Sequence, residues 1–559
     1  MEKIWLKHYP KGIPAEINVQ EYSSIMQVFD EACQKYPEKI AFSNMGVKIT
    51  YSELAQKVEI FAGFLQNELK LKKGDRIALQ MPNLLQFPVA LFAAFRSGLT
   101  VVNTNPLYTA TEMLHQFKDA EPKAIVIMAN FAHHLEKILK ETKIESVIVT
   151  ELADLFPFPK GLIVNSVVKY IKKMVPTYSL PHAYTFKQAM ELGHGKPVQN
   201  IASTHDDIAF LQYTGGTTGV SKGAVLSHKN IIANMLQICA WMTPVLKEGE
   251  EVCITPLPLY HIFSLTVNCL AFMKYGAHNV LVTNPRDLPA LVKDMRNNHF
   301  TLMSGVNTLY NGLLNNEEFR KLDFSKLKMS VAGAMALQTS VCNRWKELTK
   351  SILVEGYGLT ETSPVACCNP IDGRDKVGTI GLPVPSTNIK LVDDNDQEVP
   401  PGQSGELCVF GPQVMQGYWK RPDETAKVLK NGWLHTGDIA VVDEDGYFKI
   451  VDRKKDMILV SGFNVYPNEV EDAIASHPGV LEVAAIGVPN EHSGEVVKVF
   501  VVKKDPNLTA QDVIAQAKKS LTNYKVPREV EFRTELPKTN VGKILRRALR
   551  DEHVQQAAK

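Results

Sequence analysis

Residues 213–224 read YTGGTTGVSKGA and lie between two apolar runs, 207–213 and 225–226. Both runs predict strands, so the glycine-rich segment is predicted to be the loop between them. Glycines let the backbone approach an anion and aim its N–H groups at it, while the hydroxyl and lysine side chains add donors and charge. The segment therefore predicts a triphosphate-binding loop made of Tyr213, Thr214, Gly215, Gly216, Thr217, Thr218, Gly219, Val220, Ser221, Lys222, Gly223 and Ala224.

Two other interpretations of this loop were considered. The Walker motif G-x-x-x-x-G-K-[ST] fails at two required positions, because Ser221 precedes the lysine and Gly223 follows it. A purely structural turn is the second alternative, but the loop carries more polar and basic donors than a turn needs.

The composition narrows the class of protein. A chain of 559 residues predicts roughly three to four structural units. With 45% hydrophobic and 22% charged residues it is typical of a globular protein, and a net charge of only +2 gives no support for nucleic-acid binding. The eight cysteines form no CxxC pair, which favours a reducing cytoplasm and no metal centre on cysteine. We see neither a signal peptide at the N-terminus nor an apolar run long enough to span a bilayer.

The order of apolar runs predicts the fold class. Helical patterns alternate with short apolar runs at 77–79, 101–102, 124–127 and 147–149, and again over 208–368, which indicates an α/β fold with buried parallel sheets. Strand-like runs at 389–392, 405–409, 440–442 and 448–451 then predict a β-rich subdomain, about 380–454.

A domain boundary is predicted at the charged segment 451–457, VDRKKDM. The unit after it is interpreted as strand, helix, strand, strand, with Pro467, Glu469 and Glu471 in the first turn of the helix and Pro478–Gly479 ending it. The predicted domains are 1–454, with two α/β sheet layers and the β-rich subdomain, and a small α+β domain, 455–559.

Five further motifs follow the loop: LPLYH (257–261), EGYGLTE (355–361), WLHTGD (433–438), DRKKD (452–456) and PKTNVGK (537–543). Together with the loop they resemble the adenylate-forming superfamily, which contains acyl-CoA synthetases, luciferases and the adenylation domains of peptide synthetases. Residues 431–455 are similar to fatty acyl-CoA synthetases, and the similarity to bacterial long-chain fatty-acid–CoA ligases extends to about Arg550.

This resemblance implies a two-step reaction. A long-chain fatty acid attacks the α-phosphate of ATP to give an acyl-adenylate and pyrophosphate, and the thiol of coenzyme A then displaces AMP, which feeds fatty acid degradation and lipid metabolism. The implied partners are fatty acid, ATP and coenzyme A, with Mg²⁺ held by Thr214 and Glu361. The implied catalytic residues are Lys543, Lys222, His261 and Glu361.

The resemblance also assigns binding residues. Asp438 and Arg453 are implied at the ribose, and Lys543 at the substrate carboxylate and α-phosphate, although its segment also fits a basic helix end. The other implied nucleotide-binding residues are Gly333, Ala334, Met335, Tyr357, Gly358 and Thr360.

Small-domain rotation is implied as well. Lys455 aligns with the hinge residue, and Ser461, Gly462 and Phe463 are implied at the pantetheine arm of coenzyme A. Leu265 occupies the position where some relatives carry an aromatic residue that gates the acyl tunnel. A leucine at this position gives no support for such a gate in this chain. Residues 305–309 and 330–335 are candidate walls of the acyl tunnel. The alternative is that these apolar runs belong to the ordinary hydrophobic core.

Residues 162–175 (LIVNSVVKYIKKMV) predict a basic amphipathic helix, with Ile163, Val167, Ile171 and Met174 on one face. Such a helix either lies on the anionic inner face of a membrane or packs on its own domain or on a second copy in a homodimer. Two rival functions share the fold: an adenylate-former acting on medium-chain or aryl acids or on a carrier protein, and a non-enzymatic nucleotide-binding regulator. The combination of Glu361, Asp438 and Lys543 argues against the regulator.

Overall fold

The structure is a computed structural model that describes residues 3–214, 221–461, 463–490, 492–539 and 542–557. Seven residues with a predicted role lie outside the described residues: Gly215, Gly216, Thr217, Thr218, Gly219, Val220 and Gly462.

The strands are β1 Ile40–Asn44, β2 Val47–Thr50, β3 Arg76–Gln80, β4 Thr100–Asn103, β5 Ala124–Met128, β6 Ser146–Thr150, β7 Tyr184–Thr185, β8 Ile208–Thr214, β9 Lys222–Ser227, β10 Val252–Thr255, β11 His278–Leu281, β12 Leu302–Gly305, β13 Met329–Ala332, β14 Ile352–Gly358, β15 Val365–Cys368, β16 Leu382–Pro383, β17 Asn388–Val392, β18 Gly405–Phe410, β19 Gly417–Tyr418, β20 Leu429–Lys430, β21 Trp433–Val442, β22 Phe448–Arg453, β23 Ile458–Val460, β24 Phe463–Val465, β25 Val480–Asn490, β26 Gly494–Lys503 and β27 Glu529–Arg533.

The α-helices are α1 Ile25–Lys35, α2 Tyr51–Asn67, α3 Gln86–Arg96, α4 Ala110–Ala120, α5 Ala132–Ile138, α6 Lys160–Ser166, α7 Phe186–Gly193, α8 His228–Met242, α9 Ile262–Ser264, α10 Phe272–Lys274, α11 Leu288–Asn298, α12 Asn307–Leu314, α13 Glu317–Arg320, α14 Thr339–Thr349, α15 Pro422–Val428, α16 Pro467–Ala475, α17 Ala510–Lys518 and α18 Arg546–Ala557.

The first sheet contains β8 and β9, the two strands that flank the glycine-rich segment, close to one edge. Its strand order is β19-β9-β8-β4-β3-β5-β6-β7. The strands predicted at 77–79, 101–102, 124–127 and 147–149 are confirmed as β3 to β6, and they pair in parallel. β8 and β9 form an antiparallel hairpin, which confirms that the glycine-rich segment joins two strands. The helix α3 is buried along its whole length, because both faces of this sheet are covered.

A second sheet completes the predicted pair of α/β layers. Its order is β16-β15-β14-β13-β12-β10-β11-β1-β2, and the run from β11 to β14 pairs in parallel. β14 carries the EGYG motif and runs into a single 3₁₀ turn, Thr360–Thr362. Both hairpin strands, β8 and β9, pack against that turn. The end of the first sheet and the end of β14 are therefore brought together.

The β-rich subdomain is confirmed as a third, antiparallel sheet of β17, β18, β20, β21 and β22. In it Asp438 on β21 pairs directly with Arg453 on β22. The register therefore places the side chains of two predicted nucleotide-binding residues next to each other.

The small C-terminal domain has its own core. Two apolar clusters draw all of their buried side chains from residues 458–549. The predicted order of strand, helix, strand, strand was incomplete: β23, β24, α16, β25, β26, α17, β27 and α18 follow one another. Helix α16 begins at Pro467 as predicted and ends at Ala475, before Pro478.

The amphipathic helix is shorter than predicted. α6 ends at Ser166 and continues as a π-helical turn, Val167–Ile171, so Met174 lies beyond it. No helix in the described part of the chain has the length and apolarity needed to cross a membrane. All eight cysteines are free and buried.

Candidate functional site

A cleft of about 1660 Å³ opens between the large and small domains. Its walls come from the ends of β8, β9 and β14, from the turn after β14, from β21 and β22, and from the last segment before α18. Segments far apart in sequence thus converge on one space. The predicted residues that line it are Tyr213, Thr214, Lys222, His261, Gly333, Ala334, Met335, Tyr357, Gly358, Thr360, Glu361, Asp438, Arg453, Lys455 and Lys543.

The loop ends are fixed from both sides. Ser221 donates its hydroxyl to the carbonyl oxygen of Thr214 at 2.7 Å, and His115 Nε2 lies 3.0 Å from the carbonyl oxygen of Ser221. Thr214 and Lys222 face each other in the register of the hairpin. The hairpin thus delivers a hydroxyl and an ammonium group to the same end of the cleft.

Lys222 is held by an acid and an aromatic ring. Its Nζ lies 2.6 Å from Oε2 of Glu424 and 4.8 Å from the ring centroid of Tyr418. The hydroxyl of Tyr418 donates at 2.7 Å to Oε1 of Glu361. Tyr418 thus contacts both Lys222 and Glu361 at the loop end.

Tyr213, Gly223 and Ala224 lie in the paired strands of the hairpin. The hydroxyl of Tyr213 donates at 2.6 Å to Asp119, and a Cβ at Gly223 would come within 3.0 Å of the Tyr213 ring. Ala224 pairs with Tyr418 across β9 and β19. Although Tyr213 lines the cleft, its polar end is engaged elsewhere.

Asp438 is the centre of a polar cluster. The residue is only 3% exposed, Oδ2 accepts at 2.6 Å from the hydroxyl of Tyr357, and Oδ1 lies 3.2 Å from Nε of Arg453. Burial, and then the Asp438 charge, raise the pKa of Tyr357, so the phenol keeps its proton and donates. Each carboxylate oxygen retains a further acceptor position for a ligand hydroxyl.

The segment after β13 and the turn after β14 leave little space beside their backbone. A Cβ at Gly333 would lie 2.9 Å from the ring of Phe263, and one at Gly358 would overlap the carbonyl of Pro364. Ala334 adopts a positive φ of 65°. Gly333, Ala334 and Met335, together with Tyr357, Gly358 and Thr360, line the cleft as a group.

His261 and Lys543 approach each other from the two domains. Burial and then the charge of Lys543 lower the pKa of His261 to about 4, so the imidazole is neutral at pH 7. Its Nδ1 accepts a 3.3 Å hydrogen bond from the amide of Phe263, which places the ring proton on Nε2. Burial, and then Arg453, lower the pKa of Lys543 to about 8.

The predicted hinge lies beside a buried ion-pair cluster. Asp452 accepts from the backbone N–H of Asn468 at 2.9 Å and pairs with Arg546 at 3.4 Å, while Asp456 accepts from Arg550 at 2.8 Å. Burial raises the pKa of Asp452 to about 6. The cluster joins the end of β22 to α16 and α18, on either side of Lys455.

Of the residues predicted at the pantetheine arm, Ser461 and Phe463 do not line the cleft. Phe463 is 57% exposed and stacks on Tyr524 at 4.9 Å, and Ser461 donates its backbone N–H to Ser493. In this arrangement of the domains Lys543, rather than Ser461 or Phe463, reaches the cleft.

Some of the side chains that line the cleft are apolar. Among the described residues, the candidate tunnel walls that line it are Asn307, Thr308, Val331, Gly333, Ala334 and Met335, while Leu265 is fully buried and does not reach it. Sequence reasoning missed the side chains that α8 contributes: Ile238, Trp241 and Met242. It missed Tyr418, Glu424, Asp452 and Arg546 as well, although Asp452 lies within a quoted motif.

Comparison with known proteins gives the same family for both domains. The AMP-binding enzyme family matches residues 29–419, and the AMP-binding enzyme C-terminal domain matches residues 469–543. A long-chain-fatty-acid–CoA ligase of Escherichia coli is 57% identical over 99% of this chain and 98% of its own length. The Haemophilus influenzae protein of that name is 51% identical over the full length of both chains.

Solved structures show the same fold. The anthranilate CoA ligase AuaEII, in complex with anthranoyl-AMP, matches with a TM-score of 0.87 at 24% identity and covers 97% of this chain and 100% of its own. ATP-bound MatB from Rhodopseudomonas palustris matches with a TM-score of 0.80 at 28% identity, over 94% and 99%. The chain therefore belongs to the AMP-binding enzyme family and, by identity over its whole length, to the long-chain-fatty-acid–CoA ligases within it.

Proposed function

We propose that this protein joins a long-chain fatty acid to coenzyme A with ATP, forming acyl-CoA, AMP and pyrophosphate. A carboxylate oxygen attacks the α-phosphorus and pyrophosphate leaves. The thiol then attacks the acyl carbon, loses its proton, and AMP leaves. The observation that carries the proposal is one cleft that receives Asp438, Arg453 and Tyr357 from the large domain and Lys543 from the small one. Full-length identity to ligases of this activity supports it.

The nucleoside is proposed to bind around Asp438. Its buried carboxylate has acceptor capacity beyond Tyr357 and Arg453, which suits two vicinal ribose hydroxyls. Adenine is proposed to lie between the Tyr357 ring and the backbone that follows β13, at Gly333, Ala334 and Met335. Gly358 and Thr360 complete this binding site, at the start of the turn that carries Glu361.

Charge compensation during adenylation is assigned to Lys543 and Lys222. The attack brings a fatty carboxylate towards the phosphates, and both ammonium groups reduce the repulsion between these anions. His261 is neutral and presents Nε2–H, so it serves as a hydrogen-bond donor near the same carboxylate rather than as a cation. The remainder of the loop, 215–220, is proposed to supply backbone N–H donors to the β- and γ-phosphates.

Mg²⁺ is proposed to bind at Thr214 and Glu361. A hydroxyl and a carboxylate are oxygen donors of the kind this cation prefers. Within the described residues no cluster of three His, Cys, Asp or Glu side chains forms a metal site. That suits a cation that takes most of its ligands from phosphate and water, and when bound it would neutralise phosphate charge.

The acyl chain is proposed to lie against the apolar side chains that line part of the cleft. The total volume exceeds the roughly 300–1,000 Å³ of a common small-molecule pocket, which leaves room for a nucleotide and a long chain. Ile238, Trp241 and Met242 on α8 offer the apolar surface that a methylene chain needs.

The second step is proposed to use a rotated small domain. Lys455 is the proposed hinge between domains 1–454 and 455–559, and rotation would exchange Lys543 for residues 461–463 at the cleft. Support comes from the exposure of Phe463 and Ser461 in the present arrangement, where neither contacts the cleft. Ser461, Gly462 and Phe463 would then line the path of the pantetheine arm.

A cytoplasmic enzyme in peripheral contact with the inner membrane surface is proposed. The segment from Phe158 to Met174 exposes apolar side chains that nothing in the described chain covers, next to Lys169, Lys172 and Lys173. Apolar side chains beside lysines suit an anionic lipid surface, from which a fatty acid can be collected. A homodimer through the same face is the alternative that vesicle binding distinguishes.

The test is a steady-state comparison of fatty acids of increasing chain length, with coenzyme A and pyrophosphate detection. The expected result is the highest kcat/KM for long chains, with AMP and acyl-CoA formed in equal amounts. Preference for medium-chain or aryl acids, or transfer to a carrier protein instead of coenzyme A, would overturn the proposed substrate class. Absence of pyrophosphate release with any acid would favour a nucleotide-binding regulator.

A further inference from the structure

Tyr418 contacts both of the side chains that the proposed function places beside the phosphates. Its hydroxyl donates at 2.7 Å to Oε1 of Glu361, and its ring lies 4.8 Å from Nζ of Lys222. We propose that Tyr418 is a positioning residue for ATP, whose hydroxyl aims the Glu361 carboxylate and whose ring supports the Lys222 ammonium. This inference rests on the proposed function, because it concerns how two residues are held for the nucleotide.

The backbone fixes both ends of the Tyr418–Glu361 hydrogen bond. Tyr418 lies on β19, which pairs with β9 directly after the loop, and Trp419 donates its N–H to the carbonyl of Gly223 at 2.8 Å. On the other side, the carbonyl of Glu361 accepts from the N–H of Met415 at 2.8 Å. The chain that carries the tyrosine is therefore tied both to the loop hairpin and to the turn that carries the carboxylate.

The direction of this hydrogen bond suits a metal ligand. The phenol hydroxyl is the donor, because an ionised carboxylate can only accept a hydrogen bond. With Oε1 engaged, Oε2 stays available for a cation. Among the described residues, no other side chain donates a hydrogen bond to Glu361. Removing the phenol hydroxyl therefore leaves the carboxylate free to rotate.

The ring has a separate effect on Lys222. The acid partner of Lys222, Glu424, is negatively charged and competes with phosphate for the ammonium group. An aromatic face attracts the cation but carries no net charge. The ring can thus hold Lys222 at the cleft while the ammonium changes partners from Glu424 to the triphosphate.

Two substitutions separate these effects. Tyr418→Phe keeps the ring and removes the hydroxyl, whereas Tyr418→Leu removes both. Calorimetric titration with a non-hydrolysable ATP analogue, with Mg²⁺ or with EDTA, measures binding apart from turnover. Mg²⁺ should increase the affinity for the analogue, and we expect this increase to be about ten-fold smaller in Tyr418→Phe than in the wild type. Binding of the analogue without Mg²⁺ should be unchanged. Tyr418→Leu should weaken metal-free binding as well, by about two- to five-fold.

Two controls make the result specific. Tyr447→Phe is matched, because the Tyr447 hydroxyl also donates to a fixed acceptor, the carbonyl of Arg374, and its ring also lies near a lysine, Lys376 at 4.3 Å, but away from the cleft. It should change neither titration. In a Glu361→Gln background, Tyr418→Phe should have no further effect on the Mg²⁺-dependent gain.

The inference is overturned if Tyr418→Phe binds like the wild type under both conditions, or if it weakens metal-free and Mg²⁺-dependent binding equally. An effect of the same size in the Glu361→Gln background would also overturn it. These outcomes are independent of the proposed function, which fails instead if the wild-type enzyme forms no acyl-CoA in the chain-length comparison.

Discussion

The hydroxyl of Tyr357 donates a 2.6 Å hydrogen bond to Oδ2 of Asp438, although the two residues lie 81 positions apart and on different sheets. Arg453 approaches the other oxygen, at 3.2 Å. The carboxylate is thus fixed in orientation from both sides while each oxygen can still accept one more hydrogen bond. This fixed orientation is what recognition of two neighbouring hydroxyls requires.

The first prediction concerns Asp438→Asn. The amide offers one acceptor atom instead of two, and its NH₂ group would face the Arg453 guanidinium or the Tyr357 hydroxyl. We expect the KM for ATP to rise by about ten-fold or more, because a charged hydrogen bond is lost. The KM for coenzyme A should change little. Steady-state kinetics at varied ATP measures this. Tyr357→Phe keeps the ring and should raise the KM for ATP less than Asp438→Asn does. An unchanged KM for ATP in Asp438→Asn would contradict the proposed role of Asp438.

The second prediction concerns Lys543→Ala. Pyrophosphate-forming adenylation should fall by about 10²- to 10³-fold, because one charge that balances the phosphates and the carboxylate is lost. Transfer from preformed acyl-adenylate to coenzyme A should largely remain. Lys538→Ala is the matched control, since Lys538 lies in the same segment but pairs with Glu482 at 2.6 Å. Equal loss of both half-reactions would refute this role of Lys543.

A pH dependence follows from the same lysine. Because burial lowers the pKa of Lys543 to about 8, its ammonium group loses the proton as pH rises through that value. The adenylation rate should therefore fall above about pH 8. In Lys543→Arg the charge persists, so residual activity should lose this alkaline limb. If both enzymes show the same alkaline limb, another titrating group causes it.

The third prediction concerns the hinge. Within the described structure the amide N–H of Lys455 makes no hydrogen bond, so proline at this position removes no backbone partner. Lys455→Pro should keep adenylation, because Lys543 already reaches the cleft, and should lose thioester formation, because proline restricts the rotation. Rates of the two half-reactions measure this. Lys455→Ala should retain both, and unchanged acyl-CoA turnover in the proline variant would count against a hinge here.

The sequence predicts well where the pattern is local. The apolar runs of β3 to β6 and the glycine-rich connection between β8 and β9 were identified because continuous hydrophobic stretches bounded by turn residues specify buried strands. The strands of the β-rich subdomain were found for the same reason. In the small domain α17 was missed, and α18 was considered only as the basic helix end that is the alternative interpretation of the segment around Lys543.

Side-chain partners were not predictable from local pattern. Tyr418 meets Glu361 across 57 residues and Glu424 meets Lys222 across 202. Their contact depends on the edge strand β19 pairing with β9, a tertiary choice that no periodicity in residues 411–428 specifies. Lys222 was identified from its motif, whereas the acid that neutralises it was visible only in the fold.

The last prediction concerns the exposed segment beside α6. Ile171 is 74% exposed and Tyr170 is 68% exposed, although both are large and apolar, and Lys172 and Lys173 follow them directly. Covering such side chains with lipid recovers hydrophobic free energy, and each lysine near an anionic surface adds about 1 kcal/mol. The wild-type protein should therefore sediment with anionic vesicles at low salt and less at high salt.

Ile171→Glu should reduce this sedimentation strongly, because it replaces an apolar contact with a charge that anionic lipid repels. Val554→Glu is the matched control, since Val554 is 62% exposed on α18, away from the basic segment, and its replacement should have no effect. If the wild-type protein remains in the supernatant at both salt concentrations, lipid is not the partner of this face. Analytical ultracentrifugation without vesicles then measures the oligomeric state of the wild type and of the two variants. A dimer that Ile171→Glu disrupts and Val554→Glu does not would show that the same apolar face forms the contact between two copies of the chain.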